Sequence, residues 1–246
     1  MKKGSRYCVL IPCSVNVWAR RTALIDTAKR REEYIRSVIF WISQPHVKDI
    51  VICENTGSYF LPDFIREVAE ALSKNIEFLV FQGNKSLIAS KGKGYGEGEI
   101  LKYAIDHSKL IKRHKAFFKV TGKLNILNFR SIVSSHKFNE NNNYFLLSAP
   151  KVFRRIHKID TRFFYVQVSF FKEVLWNIHE IIDEENGINL ERAFYQRLKN
   201  YRNQIFPFPV VPIIEGMSGS TGKVYSFSPI RYCLKNVLNK IGLYKL

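Results

Sequence analysis

The chain has 246 residues, of which 46% are hydrophobic and 14% aromatic, with 39 Lys and Arg against 21 Asp and Glu. A chain of this length and composition can bury roughly three quarters of its unfolded surface, which excludes an intrinsically disordered protein. The formal net charge of +18 favours partners that carry negative charge, namely nucleic acid, anionic lipid or phosphorylated substrates.

Short apolar runs alternate with amphipathic helical patterns along the chain, which is typical of an α/β domain. The predicted strands cover residues 6–13, 49–53, 76–81, 116–120, 144–148 and 163–168. The predicted helices cover residues 29–44, 62–73, 94–108, 170–181 and 189–200. We therefore predict one α/β domain over residues 1–225, with a central mixed, mostly parallel sheet flanked by helices. A basic amphipathic helix is predicted in the tail, residues 226–246.

The cysteines and histidines indicate neither disulfides nor a metal site. Cysteines 8, 13, 53 and 233 are scattered and form no C-x-x-C pair, and the histidines show no metal-ligand spacing. An apolar N-terminal stretch is interrupted by Pro12, Ser14 and Asn16, so it predicts a buried strand and not a signal peptide. The sequence contains no run of about 18 apolar residues, so it predicts no membrane-spanning helix. These features favour a cytoplasmic protein.

A glycine-rich segment, Lys91–Glu99, lies between the third predicted strand and a predicted helix. Four closely spaced glycines predict a loop whose backbone N–H groups bind a phosphate, with Lys91 and Lys93 adding positive charge. The segment does not match the dinucleotide fingerprint, because Glu97 occupies the place of the third glycine. A methyltransferase-type G-x-G-x-G is present, although it follows the third strand and not the first. An S-adenosylmethionine-dependent methyltransferase is therefore one alternative.

Two later segments also predict anion binding. The strand over 116–120 is followed by Thr121-Gly122-Lys123, which presents ammonium and hydroxyl donors at the carboxyl end of a strand. The segment 216–223 resembles a Walker A loop, but five residues separate Gly216 from Gly222 where that motif has four. Its glycines, hydroxyls and lysine still predict an anion cradle.

Two carboxylates are candidates for a general base. Asp160 opens the sequence Asp-Thr-Arg-Phe-Phe, and Glu191 lies at the start of a predicted helix. Either could accept the proton of an incoming hydroxyl, provided that it lies within hydrogen-bond reach of it. A glutamate in a first helical turn is also stabilised by the helix dipole without any catalytic role.

Four segments in this order resemble the bacterial GT-A-type glycosyltransferases of capsule and lipopolysaccharide assembly: Lys93–Glu97, Lys119–Lys123, Asp160–Phe164 and Gly216–Lys223. The resemblance implies a GT-A-like, Rossmann-like fold. It implies transfer of a sugar from a nucleotide sugar to a glycan or lipid-linked acceptor in surface polysaccharide assembly. Glu191 would be the base of an inverting reaction, with Asp160 in reserve. The residues expected to bind the nucleotide sugar are Pro12, Glu54, Asn55, Lys93, Gly94, Gly96, Glu97, Lys119, Thr121, Gly122, Lys123, Arg162, Ser218, Gly219, Ser220, Thr221 and Lys223.

One departure from that family bears on the metal. GT-A enzymes usually carry an Asp-x-Asp motif that holds a divalent metal on the donor diphosphate, and this sequence contains no Asp-x-Asp. Lysines 119, 123 and 223 could neutralise the leaving group instead. We therefore expect no cofactor and no divalent metal.

The tail and the middle of the chain account for much of the positive charge. From Gly216 onward the charged residues are Lys223, Arg231, Lys235, Lys240 and Lys245, with no acid. Apolar residues interleave with them, which predicts a helix that lies on an anionic membrane or packs on the domain with a solvated basic face. The first option places the protein on the inner face of the cytoplasmic membrane.

Residues 102–137 contain nine Lys and Arg against one acid, Asp106. This segment keeps an RNA- or DNA-binding protein as the main alternative function. No RRM, KH, zinc-finger or helix-turn-helix signature accompanies it, so nucleic acid is not the partner that we expect.

Overall fold

A computed structural model describes residues 7–20, 22–150, 158–219 and 221–246. Within these ranges, one seven-stranded sheet has the order β3-β2-β1-β4-β7-β6-β8, and a three-stranded sheet has the order β10-β9-β5. The strands are β1 Tyr7–Cys13, β2 Val47–Glu54, β3 Asn75–Val80, β4 Ala116–Val120, β5 Leu124–Ile126, β6 Asn143–Tyr144, β7 Phe163–Gln167, β8 Ile205–Phe206, β9 Ile214–Met217 and β10 Val224–Tyr225.

Helices flank the larger sheet and follow its strands in a β-α alternation. They are α1 Thr27–Ser43, α2 Phe64–Ala71, α3 Lys85–Lys91, α4 Lys93–His107, α5 Phe129–Val133, α6 Val168–Phe170, α7 Leu190–Leu198 and α8 Pro229–Lys240. Strands β3, β2, β1 and β4 are parallel, whereas β7 pairs antiparallel with both β4 and β6. The predicted α/β class with a mixed, mostly parallel sheet is confirmed.

The first half of the chain follows the predicted pattern closely, because each strand there contains a run of apolar residues. All seven residues of β1 are buried, as a strand covered on both faces requires. Asp26 caps α1 by accepting a hydrogen bond from the Lys29 backbone N–H at 3.1 Å. The first, second, third and fourth predicted strands are each found within two residues of the predicted ends.

The second half departs from the prediction in three places. The predicted strand 144–148 pairs as a strand only over β6. The predicted helix 170–181 is divided into α6, a π-helical turn Phe171–Leu175 and a 3-10 turn Ile178–Ile181, since the chain leaves the helical region at Asn177 (φ −107°, ψ 30°). The predicted helix 189–200 ends as α7, and a 3-10 segment Lys199–Gln204 follows it.

The three-stranded sheet was not predicted, and it positions two of the predicted anion-binding segments. Strand β5 directly follows Lys123 and pairs antiparallel with β9, which pairs antiparallel with β10. Strands β9 and β10 therefore form a hairpin, and Gly219, which follows β9, lies near the side-chain end of Lys123. Strands of two to four residues have weak sequence signals, since long-range pairing and not local periodicity defines them.

The tail packs on the domain through polar contacts made by α8 and the residues after it. The side-chain amide of Asn239 donates to the carbonyl of Phe208 at 2.8 Å, and the backbone N–H of Val211 donates to Asn236 at 3.1 Å. The backbone N–H of Leu147 donates to the carbonyl of Tyr244 at 3.3 Å. Among the described residues, no helix is long and apolar enough to cross a membrane.

Gly122 is required where the end of β4 passes the end of β1. A Cβ atom at this position would lie 2.2 Å from the Pro12 carbonyl oxygen and 2.7 Å from the Tyr34 ring. Because the first of these atoms belongs to the backbone, we expect Gly122→Ala to lower the free energy of unfolding by about 1–3 kcal/mol, measured by urea denaturation. Gly219→Ala is the matched control, since its nearest neighbour is the flexible end of Lys123 at 3.2 Å. Equal urea midpoints of unfolding for Gly122→Ala and Gly219→Ala would contradict the requirement for glycine at position 122.

Candidate active site

A cleft of about 190 Å³ opens at the carboxyl ends of β1 and β4. This is the edge of a parallel sheet at which α/β proteins bind their ligands. We call it the central cleft. Its lining includes Pro12, Cys13, Ser14, Thr22, Arg30, Tyr34, Lys93, Glu97, Ile100, Thr121, Gly122, Lys123, Leu124, Thr161, Arg162, Glu191, Met217, Ser218, Gly219 and Tyr225. Ten of the residues predicted from the sequence therefore lie together: Pro12, Lys93, Glu97, Thr121, Gly122, Lys123, Arg162, Glu191, Ser218 and Gly219.

Two cations in the central cleft are buried without a carboxylate partner. Arg30 and Lys123 are each only 6% exposed, and neither belongs to any of the ion pairs found in the described part of the chain. Arg30 donates to the Ser14 carbonyl from Nε at 2.8 Å and from Nη2 at 2.5 Å, to the Leu24 carbonyl at 2.9 Å and to the Tyr34 hydroxyl at 3.1 Å, so one of its five N–H groups remains for a ligand. Lys123 donates to the Tyr34 hydroxyl at 3.3 Å, which leaves two of its three N–H groups for a ligand. Burying an unpaired charge is costly. An anionic ligand in the cleft would offset that cost.

Lys119 has a different role from the one predicted for it. Its side chain is fully buried and forms an ion pair with Glu97, and it also donates to the Thr121 hydroxyl at 3.0 Å and the Thr161 carbonyl at 2.5 Å. Because an ammonium group has three N–H donors, these contacts use all of them. Lys119 therefore holds Glu97 and Thr121 in place and does not face the cleft.

Glu191 lies in the central cleft, in the first turn of α7. Asn189 caps this helix by accepting a hydrogen bond from the Arg192 backbone N–H at 3.1 Å. Burial raises the pKa of Glu191 above the ordinary glutamate value, and the charges of Glu97 and Asp160 add to the rise, while Lys93 opposes it. A carboxylate with a raised pKa is well matched to accept a proton near neutral pH.

Asp160 does not line the central cleft; it lines a second cavity beside it. Its carboxylate accepts two hydrogen bonds from the Arg162 guanidinium, at 2.8 and 2.6 Å. Burial by itself raises the pKa of Asp160, but the charge and hydrogen bonds of Arg162 outweigh it and hold that pKa below the usual range. A carboxylate so paired is a poor base, so Asp160 orients Arg162 and does not replace Glu191.

The glycine-rich segment is a helix and not a phosphate-binding loop, which corrects the prediction. Helix α4 begins at Lys93, and the backbone N–H of Gly94 donates to the Glu184 carboxylate at 2.9 Å. An internal carboxylate therefore occupies the place at the helix N-terminus that a phosphate would take. The glycines allow close packing instead: a Cβ at Gly98 would lie 2.6 Å from the His179 side chain.

Glu54 and Asn55 hold the turn after β2 and bound a small pocket next to the central cleft. Glu54 is fully buried, and its carboxylate accepts from the backbone N–H groups of Val15 at 2.9 Å and Thr56 at 2.8 Å. It therefore shapes the turn and does not reach a ligand, contrary to the prediction. Asn55 lines the small pocket, as do Asn16, Trp18, Thr56 and Gly96, and Ser14, Arg30 and Lys93 line both this pocket and the central cleft.

The β9–β10 turn contributes only its first residues to the central cleft. Ser218 and Gly219 line the cleft, and the Ser218 hydroxyl accepts from the backbone N–H of Thr221 at 3.2 Å. Thr221 and Lys223 are exposed and lie outside the lining, so the predicted roles of these two residues are not supported. Ser220, also predicted to bind the donor, lies outside the described residues.

The structure weakens the two features that suggested nucleic-acid binding and methyl transfer as alternative functions. Of the nine cations in residues 102–137, Lys119 and Lys123 are buried and cannot belong to a basic surface that binds nucleic acid. The methyltransferase alternative needs a glycine loop, whereas Gly94, Gly96 and Gly98 lie in α4 and Gly92 is its N-cap.

Sequence reasoning missed Arg30 and Tyr34, which lie four residues apart on α1 and reach the end of β1. Tyr34 accepts a hydrogen bond from the backbone N–H of Ser14 at 3.0 Å. The only available signal was their spacing, which places both side chains on one helix face just after the first strand. Tyr225 was also missed; its ring lies 4.8 Å from the Arg162 guanidinium carbon.

The described lining of the central cleft contains two carboxylates that could contribute to a divalent-metal site. Mg²⁺ is held by carboxylates and phosphate oxygens, and the carboxylates that line the central cleft are Glu97, which is paired with Lys119, and Glu191. No group of three or more His, Cys, Asp or Glu able to hold a metal ion occurs in the described ranges. The residues at the end of β4 are Thr121, Gly122 and Lys123, and none of them is an acid.

Comparison with known proteins shows no match to a family model and no match among curated proteins. Among solved structures, the chain is similar to the glycosyltransferase GlyE of Streptococcus pneumoniae (9% identity, 82% of this chain and 44% of that chain, TM-score 0.45). It is also similar to the bifunctional glycosyltransferase WbbM (10% identity, 100% and 46%, TM-score 0.47). A third is a putative glucose-1-phosphate thymidylyltransferase from Bacillus anthracis (10% identity, 96% and 96%, TM-score 0.49). The chain spans less than half the length of GlyE and WbbM.

Proposed function

We propose that the protein is a GT-A-like glycosyltransferase that binds a nucleotide sugar in the central cleft. The observation that carries this proposal is that Arg30 and Lys123, two buried cations with no carboxylate partner among the described ion pairs, share one cleft with the half-buried Glu191, whose pKa is raised. The negative charge of a diphosphate would be neutralised by these two cations. The same cations would stabilise the diphosphate when it departs as the leaving group. Lys93 and Arg162 add positive charge to the same lining.

The proposed reaction is inverting and uses Glu191 as general base. The oxygen of an acceptor hydroxyl attacks the anomeric carbon of the donor, and the hydroxyl proton passes to the Glu191 carboxylate. The bond between the anomeric carbon and the diphosphate oxygen breaks, and the electron pair leaves with the diphosphate. Arg30 and Lys123 stabilise the charge that develops on that oxygen.

The nucleobase is proposed to occupy the small pocket beside the cleft. The Ser14 hydroxyl donates to the Asn55 amide oxygen at 2.6 Å there, and Asn16 and Thr56 add further amide and hydroxyl groups. Such groups match the donors and acceptors of a base edge, and the Trp18 ring, which also lines this pocket, offers a stacking surface.

A binding panel in excess EDTA tests both the donor class and the absence of a metal requirement. We expect at least one sugar from a UDP, GDP, dTDP and CMP series to bind saturably and to be displaced by inorganic pyrophosphate. EDTA should leave that affinity unchanged, because lysine and arginine replace the metal in neutralising the diphosphate. Binding of only S-adenosylmethionine or short RNA would contradict the proposed donor, and binding restored only by Mn²⁺ would contradict metal independence.

We further propose that the acceptor is a glycan or a lipid-linked saccharide of bacterial surface polysaccharide assembly, and that the protein docks on the inner face of the cytoplasmic membrane. Helix α8 carries an exposed apolar stripe at helical spacing, with Ile230 83%, Leu234 57%, Val237 56% and Ile241 66% exposed. The tail around it holds Arg231, Lys235, Lys240 and Lys245 and no acid. Exposed apolar residues beside cations fit an anionic bilayer.

Vesicle sedimentation tests the membrane proposal. We expect the protein to sediment with phosphatidylglycerol vesicles and to remain in solution with phosphatidylcholine vesicles, because the cations need anionic headgroups. Leu234→Ser with Val237→Ser should abolish sedimentation. The control is Ile39→Ser with Leu72→Ser, which removes two other exposed apolar side chains, 42% and 50% exposed, from α1 and from the end of α2. Equal loss in both double variants would contradict docking through α8.

A further inference from the structure

A second cavity of about 220 Å³ lies between α8, the end of the three-stranded sheet and the segment after β6. We call it the helix cavity. Arg162 and Tyr225 line both it and the central cleft, so the two compartments meet at these side chains. The proposed reaction needs a second substrate next to the donor, and the helix cavity is the adjoining space.

The charge of the helix cavity is positive. Helix α8 contributes Arg231 and Lys235, which lie one turn apart and line the same side. Asp160 is the only acid among the described residues of the lining; it is paired with Arg162, and the charge of Lys235 also acts on it. The ion pairs found in the described part of the chain include neither Arg231 nor Lys235. Two cations are therefore available to an anionic ligand.

The rest of the helix cavity suits a sugar ring. Tyr225, Tyr232 and Tyr244 line it together with Phe227, and they offer flat apolar faces with hydroxyl groups at their edges. Ser148 also lines the cavity, and its hydroxyl oxygen is buried without a hydrogen-bond partner within the described ranges.

We propose that the helix cavity is the acceptor site and that it selects a saccharide bearing a carboxylate or phosphate group. The anionic group binds Arg231 and Lys235, and the ring packs on the tyrosines. The acceptor hydroxyl is then directed toward Glu191, which lies on the far side of the contact between Arg162 and Tyr225. This inference rests on the proposed function, because it assigns the second substrate of that reaction.

The test measures binding by calorimetry at one ionic strength, with no turnover required. The probes are methyl glucuronide, glucose phosphate and, as the neutral compound, methyl glucoside. We expect at least one anionic probe to bind more tightly than methyl glucoside. Arg231→Gln with Lys235→Gln should weaken that binding by about tenfold or more, which is the worth of charge-assisted hydrogen bonds. Lys240→Gln is the control, because Lys240 is exposed on the same helix and lies outside the lining.

The possible outcomes distinguish the acceptor assignment of the helix cavity from the proposed glycosyltransferase function. If only the carboxylate or only the phosphate probe responds to the double substitution, that result identifies the anionic group. Equal affinity for neutral and anionic probes, or an equal effect of Lys240→Gln, would overturn the acceptor assignment. Nucleotide-sugar binding is measured on the same samples and should be unchanged in the double variant. Failure of that binding in the unmodified protein would refute the proposed function independently of the helix cavity.

Discussion

Replacing Glu191 by Gln is expected to lower turnover by roughly two to four orders of magnitude, because the variant cannot accept the acceptor's proton. Donor affinity should be unchanged, since the cations that bind the diphosphate are untouched. Turnover is followed as release of the nucleoside diphosphate, and donor affinity is measured by calorimetry. Gln preserves the size and most hydrogen bonds of the side chain, so any loss reflects the missing charge and proton acceptor.

The pH dependence of the same reaction reports on Glu191. Because burial raises the pKa of Glu191 above the ordinary glutamate value, the rate of the unmodified enzyme should fall as the pH falls through that raised value. The folded protein binds this proton more tightly than the unfolded chain does, so the ionised carboxylate lowers stability above that pKa. The Gln variant should therefore unfold at the same temperature as the unmodified protein or at a higher one.

Glu185→Gln is the matched control for Glu191→Gln. Glu185 is a solvent-exposed carboxylate that pairs with Arg20 at 3.6 Å, and its removal should change neither rate nor stability appreciably. If Glu191→Gln retains a normal rate, the catalytic base lies elsewhere in the chain.

The second large effect is expected for Lys123→Met, which replaces a buried ammonium by an apolar side chain of similar length. Donor affinity should fall by about 10- to 150-fold, the range for losing a charge-assisted hydrogen bond. Folding stability should not fall, because the lysine is 6% exposed and has no carboxylate partner among the described ion pairs. Calorimetry with the nucleotide sugar and thermal unfolding measure the two quantities.

Lys223→Met controls for the overall charge of the protein. Lys223 is exposed on the β9–β10 hairpin, outside the central cleft, so its removal should leave donor affinity unchanged. The same loss of affinity in Lys123→Met and Lys223→Met would mean that the donor responds to net charge and not to the cleft. No loss in Lys123→Met would remove that residue from the donor site.

Local sequence patterns were sufficient to predict most of the strands and helices in the first half of the chain. Strand β1 is an apolar run buried along its whole length, β2 contains the buried apolar run Ile50–Cys53, and α1 has amphipathic periodicity, so local patterns predict these elements. The three-stranded sheet could not be predicted in this way. Its strands have two to four residues, and the partner of β5 lies about ninety residues away in the chain.

Part of the central cleft could be predicted from the types of residue that follow the strands. Thr121, Gly122 and Lys123 were predicted because a parallel sheet presents such residues at its ligand-binding edge, and the cleft is lined by them. The glycine motif misled the prediction. Glycines are suited equally to a phosphate loop and to close helix packing, and only the neighbouring Glu184 and His179 decide between these uses.

The amino-acid sequence by itself determined the α/β class, the positive charge, and the candidates Glu191 and Lys123. Tertiary structure decided which charged residues are available to bind a ligand, because the formation of ion pairs depends on residues far away in the chain. Lys119 is paired with Glu97 and Asp160 with Arg162, whereas Arg30 and Lys123 are buried without an acid among the described ion pairs. Lys123 and Lys223 are both lysines beside a glycine. Burial alone makes the first a candidate ligand for a diphosphate and leaves the second in solvent.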